Sequence, residues 1–152
     1  MPRLPAFDLK ARANYSPHVV IVGAGASRAA TPTGDANGRL LPVMKDIVET
    51  LGLTQILERT NLDWRGRNFE DVYDDLSRNN PHAPEAEKID LHIRSYFHSL
   101  ALPNCLTIYD TLLLSLREKD LVASFNWDPL LIQAYKRHAR IQRSLPIGNS
   151  SE

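Results

Sequence analysis

The stretch HVVIVGAGASRAA, residues 18–30, limits what this chain can fold into more than any other segment. Three valines and an isoleucine between Pro17 and Gly23 have the β-branched composition of a buried strand. Two of the next three positions are then glycine. Glycine costs backbone entropy in regular structure, so its use here implies a tight turn or the close approach of another molecule. A helix is expected from about Ser27, where the small residues Ala26, Ala29 and Ala30 permit close packing. In a strand–turn–helix of this kind the free N–H groups of the turn converge, the helix dipole adds positive potential, and a phosphate suits the place. Gly23, Ala24, Gly25, Ala26 and Ser27 are therefore candidate ligand contacts, with the Ser27 hydroxyl as an added donor. A tight turn that binds nothing is the competing account of the same residues.

Further along, TPTGDANGRLLP (31–42) has loop composition, with Pro, Gly, Asp and Asn clustered. From Val43 the residues Met44, Ile47, Val48 and Leu51 follow helical spacing up to a stop at Gly52. Phe69, Val72, Tyr73 and Leu76 line one face of a second helix, with Asn68 as a cap. Ile89, Ile93, Tyr96, Phe97 and Leu100 line a third, and Ile108, Leu112 and Leu116 a fourth. DLVASFNWD (120–128) follows as a second strand, and PLLIQAYKRHAR as a helix opened by Pro129.

The expected fold class is thus α/β, Rossmann-like. Its parallel sheet is buried on both faces. Roughly 90 residues separate the two recognisable strands, whereas a simple βαβ unit needs only about 30. Residues of about 43–119 are therefore expected to form a large helical insertion. The domain is expected to run from 18 to 152 behind an N-terminal arm, 1–17, and two strands suggest an incomplete, N-terminal portion of such a fold.

The second candidate site is Ser124-Phe125-Asn126-Trp127-Asp128. Open α/β sheets present ligand-binding residues at the carboxyl ends of their strands, and Asn126 and Asp128 stand there. Asn126 offers a donor and an acceptor, whereas ionised Asp128 only accepts. The plainer account is capping: Asp128 before Pro129 suits an N-cap, and Asn126 suits a turn.

Composition excludes several classes. Eighteen basic residues balance eighteen acidic ones, so no global field draws the chain to nucleic acid or a membrane. No apolar run approaches the roughly 18 residues of a membrane span. The single cysteine, Cys105, forms no internal disulfide, and a reducing cytoplasm is the natural compartment. Cys105 lacks a basic neighbour and is expected to be a buried, inert thiol. His18, His82, His92 and His98 show no metal-ligand spacing, and no metal is expected. Asp74 and Asp75 are expected on a solvated helix face, and Trp64 suits either a core or a partner contact.

Taken together, the two sites resemble those of the sirtuin-like NAD-binding domains. Gly23 to Ser27 is similar to their Gly-Ala-Gly-x-Ser turn, and Ser124 to Asp128 to their Thr-Gln-Asn-x-Asp motif. The Phe-Asn-Trp-Asp form and the NFEDVYDDL segment look closer to the bacterial sirtuin-like NAD-consuming proteins of anti-phage defence than to deacetylases. The likeness covers about residues 18–135. It implies NAD+ bound with its pyrophosphate over Gly23–Ser27, Asn126 at the nicotinamide ribose and the attacking water, and Asp128 at the nicotinamide end. It implies hydrolysis of NAD+ to nicotinamide and ADP-ribose by the intact form, depleting NAD+ in an infected cell, with a homo-oligomer or an associated effector as partner. An NAD+-dependent protein deacylase and a catalytically dead nucleotide-sensing or interaction module are the alternatives. Three departures stand out. The third fingerprint glycine is replaced by Arg28, and the sirtuin Asp-Phe-Arg loop is missing, with Arg39 as a substitute. No Leu-His-Gly motif supplies a catalytic histidine either; His138 lies on an expected helix among Lys and Arg, where histidine usually faces solvent.

Overall fold

A computed structural model describes residues 16–79 and 84–144. The first 15 residues of the expected arm, His82, and the C-terminal residues 145–152 lie outside the described residues. The chain runs β1 (Val19–Val22), α1 (Ala24–Ala30), α2 (Ile47–Thr50), α3 (Thr54–Leu57), α4 (Phe69–Asn79), α5 (Pro84–His98), α6 (Ile108–Ser115), β2 (Leu121–Ser124) and α7 (Leu130–Ser144). The fold is mixed α/β, with a two-stranded parallel sheet and a helical body inserted between its strands.

The insertion supplies most of the core. Phe69, Val72 and Leu76 of α4 and Ile89, Ile93 and Phe97 of α5 are buried, together with Leu100 just beyond α5. These are the apolar stripes that helical spacing predicts. Ile47, Leu53 and Leu57 close the core from the short helices, and Leu130 and Ala134 of α7 bring the C-terminal helix onto the same cluster. Trp64 packs against this core, with the Arg65 guanidinium 4.8 Å above its ring. Asn68 accepts a 3.1 Å bond from the Glu70 N–H, as a cap at the start of α4 does.

The strands run in step, with Val19 opposite Leu121 and Val22 opposite Ser124. Asp120 fixes that register: it accepts from the His18 N–H at 2.8 Å and from Arg117 at 2.9 Å. The Arg117 side chain, followed by the His18 N–H, holds the Asp120 carboxyl well below the usual carboxylate range. Because β1 and β2 end level with each other, the segments that leave them emerge side by side.

Two expectations are corrected here. The strands were expected to be buried on both faces, but Val19, Ile21 and Leu121 are exposed. They alternate with half-buried Val20 and Val122 and buried Val22, so the helices cover one face of the sheet only. Helix α6 was expected to bury Ile108, Leu112 and Leu116. It ends at Ser115, exposes Ile108, keeps Leu112 half-buried against the core, and buries Tyr109 and Asp110 most deeply. Polar bonds choose that face. The Asp110 carboxylate accepts from the Thr107 N–H at 2.6 Å, from the Thr107 hydroxyl at 2.7 Å, and from Arg137 of α7. Burial alone would raise the Asp110 carboxyl; Arg137 and Thr107 outweigh it and hold the group well below its ordinary range.

Candidate functional site

The site is built where β1 and β2 end. Gly23 is the N-cap of α1, in extended backbone at φ −125° and ψ −175°, and its carbonyl accepts the Ala26 N–H at 2.9 Å. The helix therefore begins at Ala24, three residues earlier than the small-residue run suggested. Neither Gly23 nor Gly25 has a positive φ. A Cβ built on either meets nothing within 4 Å among the described residues. A methyl group would fit at both positions, and among the described residues neither the backbone nor a neighbouring atom demands glycine there. What a bare backbone gains at such a place is close approach by something from outside.

Beside this turn, Phe125 continues the ladder by donating its N–H to the Val22 carbonyl at 3.1 Å. Asn126 follows, and its Nδ2 donates to the Ser27 hydroxyl at 2.7 Å and to the Tyr109 hydroxyl at 3.2 Å. The two hydroxyls are themselves 2.6 Å apart. Residues 23–27 and 124–128, separated by about 100 positions in sequence, thus meet through a three-membered hydrogen-bond triangle. Ser27 and Tyr109 are almost fully buried. Asn126 Oδ1 is also sealed from solvent and has no hydrogen-bond partner among the described residues. A buried carbonyl oxygen left unpaired costs about 1–3 kcal/mol, so such a group calls for an explanation.

Ser27 is buried, and its hydroxyl oxygen accepts from Asn126 Nδ2 and lies in hydrogen-bond contact with the Tyr109 hydroxyl. Asp128 lies just before α7, its Oδ1 accepting the Leu130 N–H at 3.1 Å. Asp128 therefore helps to start α7 from one residue further back than an N-cap, since Pro129 supplies the carbonyl that accepts the Gln133 N–H, and its second carboxylate oxygen has no partner among the described residues. Trp127, between them, sets its ring edge-on to Phe97 at 5.6 Å. A groove of about 480 Å³ lies there, lined by Tyr73, Arg94, Phe97, Trp127 and Pro129 among others; it shares none of residues 23–27.

Tyr109 was missed in the sequence. The local signal was present: Thr107-x-x-Asp110 starts a helix, and a buried tyrosine needs a partner for its hydroxyl. Which strand end that hydroxyl would reach depends on the packing of α6 and is not written in the segment. Burial pushes the Tyr109 phenol up; the Ser27 bond takes back part of this, the nearby Asp128 charge adds to it, and the Asn126 bond lowers it slightly. Tyr109 stays neutral throughout the physiological range. Asn126, held by Ser27 and Tyr109, can orient a polar ligand, and none of the three takes a proton from it.

The remaining candidates are drawn elsewhere. His138 does not face solvent as expected: its Nε2 lies 3.1 Å from Asp110 Oδ1, so it braces α7 against α6. Arg39 is held by Asp35 at 2.7 Å and by the hydroxyl and carbonyl of Ser99, which ties its loop to the end of α5. Cys105 is exposed rather than buried, because it lies in the irregular turn between Leu102 and Thr107. Among the described residues no cluster of three His, Cys, Asp or Glu side chains could hold a metal ion. No helix there is long and apolar enough to cross a membrane. Comparison with family models, with curated proteins and with solved structures gives no match for this chain.

Proposed function

We propose that the level ends of β1 and β2 form one half of an NAD+ site, in a sirtuin-like domain whose intact form hydrolyses NAD+ to nicotinamide and ADP-ribose. The observation that carries this reading is the Asn126–Ser27 bond, which puts the glycine turn and the Asn-x-Asp turn side by side. Two features support it. Gly23 and Gly25 leave a bare approach that the fold itself does not need. Asn126 keeps a carbonyl oxygen without a donor, and a ribose hydroxyl or a water can supply one. Reaching that oxygen requires a small opening of the 125–128 turn.

In this reading the pyrophosphate lies over the backbone of Gly23–Gly25, where no Cβ holds it off. Asn126 Oδ1 orients the nicotinamide ribose and the attacking water. Asp128 offers its second carboxylate oxygen to the nicotinamide amide. The water oxygen bonds to the ribose C1′, the C1′–nitrogen bond breaks with its electron pair going to nicotinamide, and the water releases one proton to bulk solvent. Positioning supplies the acceleration, since the triangle of Ser27, Tyr109 and Asn126 holds no base and Asp128 is engaged at the nicotinamide end. Exhausting NAD+ by this reaction suits a role in abortive anti-phage defence.

Saturation-transfer NMR with millimolar NAD+ tests the binding step directly. The expected result is weak binding by the wild-type chain with little nicotinamide released, and loss of the transfer signal in Asn126→Ala. Equal transfer in wild type and variant would remove Asn126 from the site, and no transfer in wild type would end the NAD+ reading.

A further inference from the structure

We infer that Tyr109 is the positioning residue of this site: its hydroxyl fixes the Asn126 carboxamide with Nδ2 inward, so that Oδ1 alone is left for a ligand's hydroxyl. The inference rests on the NAD+ reading for the identity of the ligand, but the orientation of the amide follows from counting hydrogens.

Three close contacts join Ser27 Oγ, Tyr109 Oη and the Asn126 amide, at 2.6, 2.7 and 3.2 Å. With Nδ2 inward, two amide hydrogens and two hydroxyl hydrogens are available. Each amide hydrogen goes to one hydroxyl oxygen, one hydroxyl hydrogen fills the Ser27–Tyr109 contact, and all three contacts are bonded. With Oδ1 inward, only the two hydroxyl hydrogens remain for three contacts, so one contact becomes a bare oxygen–oxygen approach. The triangle therefore selects one face of the amide. It does so at a depth where Ser27 and Tyr109 are nearly inaccessible and the interactions are strengthened by low local polarity.

The selection needs both hydroxyls, and Tyr109 supplies the one that comes from outside the two turns. Without its hydroxyl, a single contact remains between Asn126 and Ser27. Either face of the amide can satisfy that contact: Nδ2 by donating to Ser27 Oγ, or Oδ1 by accepting from it. The amide then loses its preference, and the acceptor offered to a ribose hydroxyl is replaced part of the time by a second donor. The raised phenol pKa suits the role, since a corner that ionised would change the count. Tyr109 itself need not touch the ligand.

The test uses Tyr109→Phe, which keeps the ring in its packing position, with Ser27→Ala as a second variant that removes the other corner. The first readout is the side-chain amide pair of Asn126 in 15N–1H spectra, assigned by its disappearance in Asn126→Ala. In the wild type, two separate, solvent-protected amide hydrogens are expected. In Tyr109→Phe, one or both should move and exchange with water at least tenfold faster, while the thermal unfolding midpoint stays close to wild type. The second readout is NAD+ affinity, expected to fall roughly tenfold in Tyr109→Phe and to be restored by no increase in stability from added osmolyte. An unchanged Asn126 amide pair in Tyr109→Phe overturns the positioning role, whatever happens to binding. A changed pair with unchanged NAD+ affinity overturns it as well. If the wild type binds no NAD+, the NAD+ reading fails and the amide spectrum alone decides whether Tyr109 sets the orientation.

Discussion

The chain contains two glycine-bearing loops a few residues apart, and they use glycine for opposite reasons. In the loop after α1, Gly34 sits at φ +108°, and a Cβ there would lie 2.7 Å from the Gly38 carbonyl carbon. That is backbone against backbone, with nothing flexible to yield. The loop is also closed from inside: Asp35 is buried and accepts from the N–H groups of Asn37, Arg39 and Ala101 and from the Arg39 side chain. In the turn after β1, Gly23 and Gly25 have ordinary dihedrals and open space. One loop needs glycine to exist. The other, among the described residues, has no backbone or Cβ requirement for it.

Substituting Gly34 gives the largest test of this contrast. Gly34→Ala must place a Cβ in a left-handed conformation and inside van der Waals range of Gly38, which costs about 2–4 kcal/mol from strain and overpacking together. The midpoint of thermal unfolding should drop by roughly 5–15 °C. A midpoint within a degree of wild type would show that the loop relaxes freely and that the contrast between the two loops is not one of structural need.

Acid separates the loops next. Burial alone would raise the Asp35 carboxyl, but the Arg39 side chain and the backbone N–H groups of Arg39, Ala101 and Asn37 hold it at about 2. The folded value is lower than the unfolded one, so the stabilisation is full above about pH 4 and is lost as the pH falls towards 2. The loss is on the order of 2 kcal/mol for Asp35, and Asp110, depressed in the same direction, adds to it. Urea unfolding across this pH range should show a steep fall in wild type and a shallower one in Asp35→Asn. Parallel curves for the two proteins would mean that Asp35 does not carry the acid dependence.

The same contrast explains what could be read from the sequence. The glycine turn, the two strands and the stripes of α4 and α5 are local patterns, and periodicity or composition is enough to place them. The neighbouring positions of Ser27 and Asn126 follow from parallel strands that end level, which the sequence suggests only through the pairing of the two motifs. The face of α6 was illegible for a physical reason: its apolar residues Ile108, Leu112, Leu113 and Leu114 leave the periodicity ambiguous, and the buried side is chosen by Asp110 bonding to Arg137 and by Tyr109 bonding to Ser27. Long-range polar bonds of this kind carry no periodic signature. The exposed sheet face was misjudged similarly, because Val19 and Ile21 have strand composition whether or not anything covers them.

The smallest change in stability is the most telling. Gly25 lies inside α1, without positive φ and with no neighbour in the way of a Cβ among the described residues. Gly25→Ala should therefore leave folding intact and raise stability by up to about 1 kcal/mol, since alanine restricts the unfolded chain more than glycine does. If the bare backbone serves a phosphate, the same methyl group obstructs the approach, and NAD+ affinity should fall roughly tenfold, the loss of about 1.4 kcal/mol of binding energy. Stability and affinity then move in opposite directions in one variant, which neither misfolding nor a general loosening of the turn can produce. A stabilised Gly25→Ala protein with wild-type NAD+ affinity would leave the second glycine without a ligand to explain it, whereas a destabilised one would make Gly25 a structural glycine like Gly34.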